Sequence, residues 1–98
     1  MQNPFWDYPT FGSMLVPFRP HNVGNEASKR FRGFLVEARK RAGLTQYELA
    51  ARLKRPQSFV SKFERGERRL DVLEFREVAR ALGIDPIRFL RRLYREAP

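Results

Sequence analysis

The chain has 98 residues, a net charge of +9, a sequence pI near 11.0 and no cysteine. That fits one small domain facing a polyanion and excludes a disulfide framework or a thiolate zinc site. With His21 as the single histidine, no metal cluster, cofactor or enzyme chemistry is expected, and no stretch approaches the roughly 20 apolar residues of a membrane span.

Charge is divided unevenly. Residues 1–27 hold only Asp7, Arg19 and Glu26, a net of −1, so residues 28–98 carry +10. The first region is rich in Pro, Gly and aromatics, lacks a helical period, and contains one strand-like run, Ser13 to Phe18. It reads as an arm, residues 1–27, ahead of a helical domain, residues 28–98. The series Phe5, Trp6, Tyr8, Phe11, Met14, Leu15 and Phe18 is too apolar for a free solvated tail. Docking on its own domain, a second subunit or a protein partner are its expected uses.

A first helix is predicted from near Ser28 to Ala42, with Phe31, Phe34, Leu35, Ala38 and Ala42 on one face and Gly43 as its left-handed cap. Gly33 falls off that face and reads as a surface glycine, which costs about 1 kcal/mol against Ala. The second helix opens at Thr45-Gln-Tyr-Glu48, a capping-box spacing, and turns Leu49, Ala50 and Leu53 inward. It ends at Lys54-Arg55-Pro56, because proline disfavours helical geometry at Arg55 and, needing no donor itself, lets a new helix begin. The third helix, Gln57 to Arg65, buries Val60 and Phe63, stops at Gly66, and directs Gln57, Ser58, Ser61 and Lys62 outward. Phe59 points partly sideways and is expected to cover the turn. Two short helices, a tight turn and an outward polar face describe a helix-turn-helix.

A fourth helix is predicted from Asp71 to Leu82, capped by Asp71 and stopped by Gly83, with Val72, Phe75, Val78, Ala79 and Leu82 inward. Asp85-Pro86 starts a fifth, whose stripe Ile87, Leu90 and Tyr94 is expected to close the core. Its second stripe, Arg88, Arg91, Arg92 and Arg95, suits solvent, a phosphate or an anionic surface. The fold class is therefore all-α, five helices behind an N-terminal arm.

Residues 52–69 hold seven cations (Arg52, Lys54, Arg55, Lys62, Arg65, Arg68, Arg69) against Glu64 and Glu67, a net of +5 around the third helix. Phosphates are the natural counter-charge, with Arg55, Arg65, Arg68 and Arg69 as the contacts. An α-helix fits the major groove of double-stranded DNA, where Gln57 suits adenine and Lys62 suits guanine acceptors.

The run GLTQYELAARLKRPQSFVSKFERGERR resembles the helix-turn-helix of the Cro and CI-type phage repressors, the XRE-like group of DNA-binding regulators, over about Phe31 to Leu90. The resemblance implies a five-helix lambda-repressor-like domain in which Gln46 binds a phosphate and braces the third helix. It further implies that Gln57, Ser58, Ser61 and Lys62 face base edges, and that Arg39 pairs with Glu64. Two positions depart from the family pattern: Lys54 stands where the turn usually holds glycine, and Pro56 where a serine or threonine usually caps. The function so implied is a sequence-specific transcriptional regulator, a repressor acting as a homodimer on palindromic half-sites in the bacterial or phage cytoplasm, at the nucleoid. The alternative is an antitoxin or controller-type interaction module, its arm holding a protein partner and its DNA binding secondary.

Overall fold

The computed structural model describes residues 20–95, with side chains from residue 26 onward. Five helices follow one another: α1 Pro20–Arg41, α2 Gln46–Leu53, α3 Gln57–Arg65, α4 Val72–Leu82 and α5 Pro86–Arg95. The arm up to residue 19, with its run from Ser13 to Phe18, and the side chain of His21 lie outside the described residues.

Helix α1 begins at Pro20, ahead of the expected start near Ser28. Proline suits a first helical position because it has no amide to leave unpaired and its φ is already helical. The residues that follow it have no apolar stripe, so periodicity carries no sign of this first stretch. The starts of α2 and α4 are fixed by reciprocal capping boxes. Thr45 Oγ1 accepts from the Glu48 amide at 3.0 Å while Glu48 Oε1 accepts from the Thr45 amide at 2.9 Å. Asp71 and Glu74 repeat the arrangement at 2.7 and 3.0 Å.

One device reverses the chain after each of the first four helices. A left-handed residue returns its amide to the carbonyl three residues back, and the next amide reaches five back: Gly43 and Leu44, Lys54 and Arg55, Gly66 and Glu67, Gly83 and Ile84. Three of those left-handed residues are glycine; the fourth is Lys54 at φ 58°. A Cβ in that conformation crowds the following carbonyl at a cost of about 1–2 kcal/mol. The turn between α2 and α3 thus keeps its shape and carries strain.

The core is one cluster: Leu35 from α1, Leu49 and Ala50 from α2, Phe59, Val60 and Phe63 from α3, and Phe75, Val78 and Leu82 from α4. Helix α5 joins it through Phe89, whose ring meets those of Phe31, Phe34 and Phe75 at centroid distances of 5.7, 5.9 and 5.3 Å. Ring pairs of this kind add roughly 0.5–1.5 kcal/mol each beyond the area they bury.

Four expectations for these faces are corrected. Ile87 and Tyr94 are 59% and 78% exposed, so the core stripe of α5 runs through Phe89 and Leu90 instead. Val72, expected inward, is 81% exposed because it sits in the first turn of α4, where the core does not reach. Ala42 lies beyond the last turn of α1 and is exposed. Phe59 does more than cover the turn: it is buried, edge-on to Phe63 at 5.5 Å.

Lys54→Gly is expected to stabilise the domain by about 0.5–1 kcal/mol in urea unfolding, since relief of the left-handed strain exceeds the extra freedom glycine gives the unfolded chain. An unchanged or lower midpoint would show that the turn holds no strain at this residue.

Candidate nucleic-acid interface

Helix α3 is preceded by Pro56, which is extended at φ −62° and ψ 151° and makes no side-chain cap bond. The first amides of α3 therefore face outward at the positive end of the helix with no capping side chain over them. Gln57, Ser58, Lys62 and Arg65 are exposed, whereas Val60 and Phe63 are 0% and 2% exposed. The apolar side of the helix anchors it and the opposite side is free.

A continuous chain of hydrogen bonds ties that free side to α1. Arg39 donates from Nε to Glu64 Oε2 at 2.7 Å and from Nη2 to Glu64 Oε1 at 3.1 Å, and its Nη1 donates to the Leu44 carbonyl at 2.8 Å. The side chains of Arg39 and Glu64 are 11% and 6% exposed. Gln46 Nε2, at the first residue of α2, also donates to Glu64 Oε1 at 2.8 Å, and Gln46 Oε1 accepts from Gln57 Nε2 at 2.8 Å. Gln57 is thereby solvent-facing and held.

Ser61 departs from the expected outward set. It is 9% exposed and its hydroxyl leans on the Ser58 carbonyl at 3.4 Å. Ser61 comes one turn after Gln57 and one turn before Glu64, on the side of α3 that carries the bonds of Gln46 to Glu64 and Gln57. The stripe that stands free is Ser58, Lys62 and Arg65, with Gln57 beside it.

The surrounding cations divide into two kinds. Arg68 gives both terminal nitrogens to Glu74, at 3.0 and 2.7 Å, and its guanidinium lies 4.8 Å from the centre of the Phe59 ring. Arg55 also lies over that ring, at 4.4 Å, and reaches Glu74 at 3.7 Å. Arg52 donates to the Ala81 carbonyl at 2.9 Å. These three brace the motif. Arg65 holds only an exposed pair with Glu67 at 2.9 Å, which gains little in water and exchanges readily for a phosphate. Lys54, Lys62 and Arg69 are exposed and belong to no ion pair among the described residues.

Glu74 was not singled out by the sequence reading. Its place three residues after Asp71 is a visible capping-box spacing; its service to Arg68 and Arg55, from another segment, has no local signal. Hydrogen bonds from Arg68, and next from the Asp71 amide, hold its carboxyl down from about 4.5 to about 2.

The helix-turn-helix family HTH_3 matches residues 35–89. The chain belongs to the XRE-like helix-turn-helix family. A solved structure of an XRE-family like protein from Pseudomonas syringae pv. tomato str. DC3000 shares 51% sequence identity and superposes with a TM-score of 0.74, the match covering 78% of this chain and 93% of that one. No curated protein matches. Membership makes this chain a DNA-binding transcription regulator, in a class distinct from enzymes. No described helix is long and apolar enough to cross a membrane.

The lowered Glu74 carboxyl sets an acid dependence. Above about pH 4.5 the carboxylate is ionised whether the chain is folded or unfolded, and the bonds to Arg68 and Asp71 contribute fully; as the pH falls from there toward about 2 the unfolded chain takes up the proton first and the contribution is lost. Glu74→Gln should accordingly melt below the parent at neutral pH, with the gap narrowing through that acid window. A gap that stayed constant with pH would show that the charge of Glu74 carries none of the stabilisation.

Proposed function

We propose that α3 enters the major groove of double-stranded DNA with Gln57, Ser58 and Lys62 against base edges, and that two copies of the chain occupy a palindromic operator as a repressor. The observation that carries this reading is the held but exposed amide of Gln57. One of its two N–H groups is engaged by Gln46, which leaves the second N–H and the carbonyl oxygen for a bidentate contact to adenine. A side chain oriented before contact loses less freedom on binding than one that must be ordered by the base.

Phosphate contacts fall to the groups that can make them without dismantling the fold: the second amide N–H of Gln46 at the start of α2, which leaves its bonds to Glu64 and Gln57 in place, and Lys54, Arg65 and Arg69 around α3. Arg55 and Arg68, both expected as phosphate contacts, also hold Glu74 and cover Phe59, so their first service is to fix the loops from which the others reach. The uncapped start of α3 adds backbone donors for a phosphate oxygen.

Helix α3 has nine residues, a length of about 13 Å that spans only a few base pairs. Specificity in a genome therefore supports a homodimer, its two α3 helices about 34–36 Å apart on half-sites of a two-fold operator. Occupancy of such a site blocks transcription without further chemistry.

Selection of bound duplexes from a random pool is expected to return a palindrome. On that sequence Gln57→Ala should relax the preference at one position of each half-site, worth about 1–3 kcal/mol, while Arg69→Ala should weaken all sequences alike and lower the salt slope by about one ion. A recovered site without two-fold symmetry would contradict the dimer. Equal loss on every sequence for both variants would contradict the assignment of Gln57.

A further inference from the structure

Away from α3, an open groove of about 860 Å³ runs between the C-terminal half of α1 and α5, closed at one end by the turn from α4. No residue of α2 or α3 lines it. Its floor is apolar, built from Phe34, Ala38, Leu82, Ile84 and Phe89, and its rim carries Arg41 on one side and Arg88, Arg91, Arg92 and Arg95 on the other.

Among the described residues only two carboxylates line this groove, and both are engaged. Glu37 accepts from Arg92 at 2.8 Å with Arg41 at 3.9 Å, and the Asp85 carboxylate turns to the α5 amides of Ile87 and Arg88 at 2.9 and 3.4 Å. Arg92 also lies over the Phe34 ring at 4.0 Å and forms a wall of the groove. Arg88, Arg91 and Arg95 are exposed and belong to no ion pair among the described residues.

We propose that this groove binds an acidic amphipathic helix of a partner protein. Charge complementarity selects the sign of the occupant: among the described residues five arginines line the groove against two engaged carboxylates. The apolar floor selects its body, because a partner that brings apolar side chains gains their burial, whereas a nucleic-acid backbone brings only phosphates to an oily surface. Spacing selects its shape. Arg88, Arg91 and Arg95 recur every three to four residues along about 10 Å of α5, the repeat at which carboxylates on one edge of an adjacent helix present themselves. A second copy of this same face is disfavoured, since a two-fold contact sets like patches against each other and would appose the arginines.

Because the groove and α3 share no residue, the partner helix and duplex DNA bind at the same time. The regulator is then a platform that brings an acidic partner to its operator, or is reported on by one, without vacating the site.

The test uses the full chain and a fluorescein-labelled helical peptide of about fifteen residues with Glu along one face and Leu and Phe along the other, read by fluorescence anisotropy. A polyglutamate peptide of equal length is the charge-only control. Arg88→Glu with Arg91→Glu removes the rim at two exposed positions, with thermal melting as the check on folding. The expected result is saturable binding of the amphipathic peptide, far weaker binding of polyglutamate, a loss of about tenfold or more in the double variant, and no displacement by saturating duplex. Absence of binding, equal binding of the two peptides, or full binding by a double variant that melts normally would overturn the proposal. Displacement of the peptide by duplex would overturn it in favour of a second nucleic-acid surface. None of these readings depends on which base Gln57 contacts.

Discussion

The buried pair of Arg39 and Glu64 is the constraint on which the arrangement of the motif rests. With both side chains almost wholly withdrawn from water, either charge left alone would cost about 3–5 kcal/mol, although the intact pair need add little net stability over apolar residues of the same size. The consequence is geometric. Arg39 is satisfied only when α3 lies where Glu64 can accept from two of its nitrogens and the α1–α2 turn lies where Leu44 can accept from the third. The end of α1, the turn that follows it and α3, 25 residues further on, are thereby held in one register. Gln46 extends that register to the surface by joining Glu64 to Gln57.

A second consequence concerns the arginines. A chain this basic could be read as a uniform cationic surface, yet its guanidinium groups do different work. Arg39 lies within the core boundary, Arg68 and Arg55 enclose Phe59 and share Glu74, Arg52 closes on α4, and Arg92 bridges α5 to α1. The planar, multiply donating head group suits these bracing contacts, since one side chain can satisfy two or three acceptors while its face lies on a ring. Other arginines stay exposed, among them Arg65 and Arg69 around α3 and Arg88, Arg91 and Arg95 along α5, where an apolar floor accompanies the charge.

Much of this was legible in the sequence, for identifiable reasons. Capping boxes at Thr45 and Asp71 and glycines at 43, 66 and 83 marked helix ends because the backbone donors and left-handed angles there demand those residue types. The KRP junction marked the turn, and the strain expected of Lys54 is present as a positive φ. The facing of α5 was less legible: Ile87, Leu90 and Tyr94 form as regular a stripe as Phe89 and its neighbours, and only the position of the phenyl rings of α1 and α4 chooses between them. Ser61 was misread for a related reason, its burial depending on how α3 packs against the rest of the domain rather than on its place in the helical period. Contacts such as Arg68 with Glu74 or Arg92 with Glu37 join segments that no periodic pattern connects.

The central claim is that the bond between Gln46 and Gln57 orients the reading side chain. A double-mutant cycle on duplex affinity, with Gln46→Ala, Gln57→Ala and the double variant measured on the selected operator and on random duplex, addresses it directly. A coupling of about 1 kcal/mol on the operator and none on random duplex is predicted. Additive losses on the operator, within about 0.3 kcal/mol, would contradict it and leave Gln57 an ordinary solvated side chain.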